Sequence, residues 1–289
     1  MLKTVWLTEQ RDMRKGTAML LGGFDGLHLG HRYLLARAKS HALPVGLMTI
    51  VDGKSDGNLF TFSERERIFL RSGADFVFEL PFAEIKDLTP TEFIDLLCNE
   101  FSPKVFVCGE DFRFGTKASG TPETLKTYGH VRVESYPLIQ YDGIKVSATA
   151  VKHHLSIGEI ERANELLGEE FFLLGEVVRD RQVGRKMGFP TANIVYPKEK
   201  YPIRKGVYET RVLLDGNVYK GITNYGARPT FDDRTVLTET YLDGFQGDLY
   251  GKTLCVQFVR YLRDIQKFDD ANALKAQLEE DIRRVRNGD

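Results

Sequence analysis

Apolar runs alternate with helical spacings through the first half of the chain. TAMLLGGF (residues 17–24) is a short apolar run that predicts a strand, followed by helical spacing from about Gly30 through Leu34, Leu35 and Ala38. PVGLMTIV (44–51), ADFVFELPF (74–82) and KVFVCGE (104–110) predict three more strands. Between them, SERERIFLRSGA (63–74) reads as a helix with Ser63 as N-cap and Glu66 closing a capping box, and TPTEFIDLLCNEF (89–101) as a helix entered at Thr89-Pro90. Strands separated by helices of this length predict a parallel sheet with crossover helices.

A further helix is expected from Ser156, where Ser-Ile-Gly-Glu has capping-box spacing and Ile160, Ala163 and Leu167 share one face. After Gly168 the period changes. GVYETRVLL, NVYKGITNY, VLTETYL and KTLCVQFV are short β-branched and aromatic runs broken by Gly, Pro, Asn and Asp, the pattern of a small β-barrel. In DDANALKAQLEEDIRRVR (269–286), Ala271, Leu274, Leu278, Ile282 and Val285 form one helical stripe. The fold class expected is α/β plus all-β: a Rossmann-like parallel α/β domain over residues 1–155, a linker helix over 156–169, and a small β-barrel with a terminal helix over 170–289.

Composition narrows the function. The 289 residues suffice for two cores, and 42% hydrophobic with 28% charged residues describes a globular chain. A formal net charge of −1 gives no bulk attraction for nucleic acid or anionic membranes, although a local basic pocket could still hold a small anion. The expected partners are therefore small molecules, with no nucleic acid and no membrane; oligomeric state is not legible. Cys98, Cys108 and Cys255 sit far apart in apolar runs and read as buried free thiols. The N-terminal stretch lacks the apolar core of a secretory signal and no run approaches membrane-spanning length, so a cytoplasmic location is expected.

The densest chemistry lies in GGFDGLHLGH (22–31), where the first strand gives way to a helix. That junction is the ligand crevice of open α/β sheets, and the unpaired amides of a helix N-terminus attract anions. Gly22, Gly23, Gly26 and Gly30 permit close backbone approach, while His28 and His31 can donate to phosphate oxygens. Two other readings stand beside this one. The histidines could cap the helix, or they could hold a metal, for which only Asp25 offers a nearby third ligand.

The segment resembles the HxGH signature of cytidylyltransferase-like nucleotidyltransferases. With Phe24-Asp25-Gly26 before the histidines, it resembles the N-terminal half of bacterial bifunctional riboflavin kinase/FAD synthetases. GADFVFELPF, GEDFRFG (109–115) and SIGEIERANELLGEEFFLLGEVV (156–178) extend the likeness in order. The resemblance implies a nucleotidyltransferase-like domain that transfers AMP from ATP to FMN. It implies nucleotide contacts at Gly22, Gly23, Phe24, Asp25, Gly26, Gly30 and Asp111, catalytic roles for His28 and His31 at the α-phosphate, and flavin contacts at Phe112 and Phe114. Read without the family, the two phenylalanines are core residues. Ser147-Ala148-Thr149-Ala150-Val151-Lys152 stands where the family has Ser-Ser-Thr-x-x-Arg, so Ser147, Thr149 and Lys152 are the implied phosphate contacts, with lysine lacking the arginine fork. Thr49-Ile50-Val51-Asp52-Gly53-Lys54 replaces a Thr-Phe-x-Pro-His-Pro segment, and Gly23 stands where asparagine is common.

GRKMGFPTAN (184–193) resembles the glycine-rich flap and Pro-Thr-Ala-Asn motif of riboflavin kinases. Gly184, Lys186, Gly188 and Pro190 are thereby implied in nucleotide binding. Thr191 and Asn193 are implied in both nucleotide and magnesium binding, for which their side-chain oxygens are suited. GITNYGARPTF (221–231) and TETYLDGFQGDLYGK (238–252) resemble later blocks, implying Glu239 as the base and Arg228 on the flavin side. RDIQKF (263–268) implies flavin-side positions at Arg263 and Phe268, with packing the ordinary role of the phenylalanine. The activity implied is riboflavin to FMN, then FMN to FAD, with ATP and Mg2+ as co-substrate and metal. The alternatives are a monofunctional riboflavin kinase with a degenerate adenylyltransferase domain, or a flavin- or nucleotide-sensing binding protein.

Overall fold

The computed structural model describes residues 3–9, 12–51, 56–179, 191–227 and 236–288. The chain divides into two compact units, Met1–Ala148 and Thr149–Asp289. In the first, β1 (Lys3–Trp6), β2 (Thr17–Leu21), β3 (Val45–Val51), β4 (Phe76–Pro81), β5 (Pro103–Gly109) and β6 (Arg132–Tyr136) form one sheet. Its six strands run in the order β1-β4-β3-β2-β5-β6. All neighbours are parallel except β1, which lies antiparallel on β4. Met19, Leu20, Phe76, Phe78, Phe106 and Val107 are fully buried, as expected of strands covered on both faces.

Crossovers are made by α1 (Leu29–Lys39), α2 (Phe62–Leu70), a single turn α3 (Phe82–Ile85), α4 (Pro90–Phe101) and α5 (Pro122–Tyr128). Thr89 caps α4 through a capping box with Glu92, and Pro90 occupies the first turn, as its sequence predicts. The start of α2 differs from expectation. Thr61, not Ser63, is the N-cap, and the box closes on Glu64. Both spacings satisfy the rule, and the helix that starts at Phe62 buries Ile68 and Phe69.

A small hairpin of β7 (Gln140–Tyr141) and β8 (Ile144–Lys145) precedes α6 (Ala148–Ile157). Helix α7 (Ile160–Leu167) begins after Glu159, so the expected Ser156 cap is a correction: Ser156 is the penultimate residue of α6. The face Ile160, Ala163, Leu167 is buried as expected, and Asn164 Nδ2 donates to the Phe258 carbonyl at 2.8 Å.

In the second unit, β9 (Phe172–Val178), β10 (Thr191–Val195), β11 (Gly206–Leu214), β12 (Asn217–Ala227), β13 (Val236–Leu242) and β14 (Thr253–Arg263) close into an antiparallel barrel in the order β10-β13-β12-β11-β14-β9. Tyr208, Thr210, Thr223, Tyr225, Thr238 and Thr240 fill its interior. Thr210, Thr223 and Thr240 form a hydroxyl chain with two 2.9 Å contacts. Helix α8 (Ala271–Asn287) packs Ile282 and Val285 on Val207, Ile222, Tyr241 and Leu262, which defines that side chain set as the outer face. Cys108 and Cys255 are buried free thiols, but Cys98 is only half-buried, a correction to the sequence reading. Burial pushes the Cys108 thiol up to about 12, which makes it inert at neutral pH.

Candidate active sites

A cleft of about 700 Å³ opens at the carboxyl ends of β2, β3, β5 and β6, where Leu21, Ile50, Gly109 and Tyr136 line it. This is the switch point of the sheet. From β2 the chain crosses to β3 on one side, while β5 lies on the other. The size suits a nucleotide-scale ligand.

His28 and His31 line the cleft with rings stacked 3.6 Å apart between centroids. His28 caps α1, its Nδ1 accepting from the His31 amide at 3.3 Å. His31 Nδ1 donates to the Gly26 carbonyl at 2.8 Å. These bonds fix the tautomers: a neutral His28 carries its proton on Nε2 and a neutral His31 on Nδ1. Backbone geometry is equally specific. Gly26 has φ +142°, and a Cβ there would meet the Phe60 ring at 2.8 Å. A Cβ on Gly30 would stand 3.1 Å from His28 Cε1. The helix-cap reading of the motif is thus correct for His28, and it coexists with exposure of both rings to the cleft.

Gly22, Gly23, Gly30, Asp111, Phe112, Phe114 and Ser147 also line the cleft. Phe112 stacks on Phe114 at 5.4 Å, and Phe114 meets Phe93 at 5.2 Å, giving one wall an aromatic face. Asp111 lies 3.7 Å from Lys145 Nζ. Phe24 and Asp25 sit behind the wall instead. Asp25 is 2% exposed and its Oδ2 accepts from the Leu59 amide at 2.9 Å, tying the glycine turn to the start of α2. Thr149 is exposed on the first turn of α6. Lys152 is buried, with Nζ 5.1 Å from the Tyr201 ring centroid, and is not among the cleft-lining residues. Sequence reasoning missed Tyr136, whose hydroxyl receives Arg37 Nε at 2.8 Å and donates to Glu134 at 2.7 Å. Burial, then the bond to Glu134, raises its pKa, so the phenol stays protonated at neutral pH.

The second constellation lies on the outer face of the barrel. Register places Asn193 of β10 opposite Glu239 of β13, Glu239 opposite Asn224 of β12, Asn224 opposite Val207 of β11, and Val207 opposite Arg263 of β14. Directly opposed residues point to the same face, so these side chains form one transverse row. Thr191, two residues before Asn193, donates its hydroxyl to Glu239 Oε1 at 2.9 Å. Asn193 is 6% exposed, and both Asn193 Oδ1 and Asn224 Oδ1 are buried without a hydrogen-bond partner. A buried acceptor left this way calls for an explanation, and a bound ligand or ion supplies one.

Arg263 sits at the far end of the row and grips the buried Asp281 of α8, Nε reaching both carboxylate oxygens at 3.1 Å and Nη2 reaching Oδ2 at 2.7 Å. Gly184, Lys186, Gly188, Pro190 and Arg228 lie outside the described residues. Among the described residues, no group of three or more His, Cys, Asp or Glu side chains could hold a metal ion. A cation beside Glu239 would therefore rely on neutral oxygens. Thr191 Oγ1 and the unpartnered Asn193 Oδ1 fit a hard divalent ion.

A crevice at the switch point of a parallel α/β unit, a histidine pair on a helix N-terminus, and a carboxylate in an oxygen-rich barrel row fit a two-site transferase architecture. Residues 10–150 match the FAD synthetase family and residues 167–288 the riboflavin kinase family. The bifunctional riboflavin kinase/FMN adenylyltransferase of Pseudomonas fluorescens is 31% identical over 96% of this chain and 94% of its own length. The enzyme of that name from Haemophilus influenzae is 32% identical over 93% and 92%. This chain belongs to the bifunctional riboflavin kinase/FMN adenylyltransferase family. The crystal structure of a macrolide-efflux protein from Streptococcus pneumoniae also superposes with a TM-score of 0.86, at 30% identity over 94% of both chains. Among the described residues of the present chain, no helix is long and apolar enough to cross a membrane.

Proposed function

We propose that this chain makes FAD from riboflavin in two ATP-dependent steps, phosphorylation at the Glu239 row and adenylylation in the α/β cleft. The carrying observation is the Thr191–Glu239 hydrogen bond beside the unpartnered Asn193 oxygen, which joins a base to a cation-ready pair. In the first step the ribityl 5′-hydroxyl attacks the γ-phosphorus of ATP, the bond from that phosphorus to the bridging oxygen breaks, and ADP leaves. Glu239 accepts the hydroxyl proton. The transition state is loose, so aiming the alcohol counts for more than early proton removal. Thr191 and Asn193 would hold Mg2+, which when bound neutralises phosphate charge.

In the second step a phosphate oxygen of FMN attacks the α-phosphorus of ATP and pyrophosphate leaves. His28 offers its Nε2 proton to the oxygens that gain charge. His31, whose Nδ1 proton is committed to the Gly26 carbonyl, stacks on His28 and holds that ring in place. Gly22, Gly23, Gly30, Asp111 and Ser147 border the nucleotide in this reading, and Phe112 with Phe114 borders the flavin. Free thiols suit the reducing cytoplasm, where we place the enzyme. The test is incubation of the purified protein with riboflavin, ATP and Mg2+, with flavins separated by chromatography over time. FMN should rise and then give way to FAD. FMN accumulating alone, even when supplied as substrate, would remove the adenylylation half; absence of FMN would remove the kinase half.

A further inference from the structure

The row around Glu239 is asymmetric, and the asymmetry has chemical content. Thr191 and Asn193 both lie on β10, on one flank of the carboxylate. Asn224 lies on β12, on the other flank, directly opposite Glu239 in register. A side-chain amide oxygen only accepts, so a phosphate oxygen is repelled there and a donor or a cation is required. The surroundings decide between them. A Cβ on Gly226 would stand 4.0 Å from Asn224 Oδ1 and 2.5 Å from Cδ1 of Ile265, so an apolar side chain that is itself 47% exposed borders the same stretch of β12. A hydroxyl on a chain that carries an apolar ring fits such a place better than a hydrated cation does.

We infer that Asn224 is a specificity-determining residue of the kinase site, its Oδ1 accepting a hydrogen bond from a secondary hydroxyl beside the one that reacts. This rests on the kinase reading above. The phosphate and its cation take the β10 flank of Glu239; the acceptor alcohol takes the β12 flank. Asn224 then ties the side chain of the flavin so that its terminal hydroxyl faces Glu239. A chain without secondary hydroxyls leaves the buried acceptor unpaired and is disfavoured, the form of discrimination that hydrogen-bonding sites achieve best.

The experiment compares riboflavin with an analogue whose N10 substituent is 5-hydroxypentyl, which keeps the reacting hydroxyl and lacks the others. Wild-type protein should prefer riboflavin in kcat/KM. Asn224→Leu, close in shape but without an acceptor, should lower kcat/KM for riboflavin by about tenfold or more. It should raise the analogue's value, since no acceptor is then left unpaired, and leave the KM for ATP unchanged. Asn224→Ala serves as a second variant if the leucine protein misfolds, judged by thermal unfolding and by retained conversion of FMN to FAD. Equal losses for both flavins, or no loss for riboflavin, would overturn the assignment. Failure of the wild-type protein to phosphorylate riboflavin would instead remove the kinase reading, and this inference with it.

Discussion

Glu239 is flanked by side chains drawn from two strands. Its carboxylate holds the Thr191 hydroxyl, and Asn193 and Asn224 flank it in register. Glu239→Gln keeps the shape and the bond from Thr191 but removes the carboxylate proposed to accept the proton. FMN formation should fall by roughly 10²–10⁴-fold, while FMN supplied directly still becomes FAD; an unchanged kinase rate would show that another group takes the proton. The same scale shows what a sequence can carry. His28 and His31 could be singled out because they stand in a dense local motif at a strand–turn–helix junction, and Thr191 because it follows a glycine-rich run in the sequence. Phe24 and Asp25 belong to the same letters yet serve the wall and not the cleft, since a motif records what is needed without saying for what. Asn224 was invisible. A lone asparagine within NVYKGITNY gains meaning only when register sets it opposite Glu239, and pairing across strands leaves no mark on spacing along one strand.

At the scale of elements, the outer face of the barrel depends on how α8 is fastened. Arg263 forks onto Asp281 at mid-helix, Arg286 reaches Asp243 with Nε and Nη2 at 2.8 and 2.7 Å, and Lys220 Nζ caps the Val285 carbonyl at 2.9 Å. The hydrogen bonds from Arg286 hold the Asp243 carboxyl below the ordinary range, with burial opposing. Because the folded value is depressed, the stabilisation is complete above the unfolded aspartate pKa of about 3.9 and is lost as pH falls through the lower folded value. Arg286 is 60% exposed, so solvent screening keeps the contribution of the pair small. Urea unfolding of wild type and Asp243→Asn should differ by a constant small amount from neutral pH down to about 5 and converge below about 4; a gap that widens with acid would refute the linkage. Elements with strong period were legible, β2 to β5 and α1 among them. Strand β6 was not, because Arg132–Tyr136 is half-exposed and polar, and β1 was not, because four edge residues give no period to read. The start of α2 shifted because two cap candidates competed locally, whereas α7 starts after Glu159, which makes no side-chain cap bond and so leaves no cap signal to read.

For the whole molecule, two sites on two units make the intermediate a free product in principle. Glu239→Gln should convert FMN but not riboflavin, and the double variant His28→Ala, His31→Ala should stop at FMN. Mixed in one tube, the two proteins should restore FAD formation from riboflavin after a lag, because FMN released by one is substrate for the other. No restoration, with each single step intact, would mean that FMN does not leave the protein that made it. The order of the two units was legible in the change of period near Gly168, whereas the strand order within each was not, since sequence lists strands without saying which lie side by side.

Closure of the barrel also sorts the two units by their exposure to self-templating. A ring of paired strands has no outermost member, so it offers no unfilled row of amides and carbonyls to a second chain. The α/β sheet does have outermost members. Strand β1 presents one margin with Lys3 on it, and β6 presents the other with Arg132 and Glu134 paired at 2.7 Å. Charges on both margins are the ordinary guard against strand-to-strand addition, and they are needed on the unit that cannot close on itself. Neutralising them would open the margins of the α/β sheet to strand addition and leave the closed barrel unaffected.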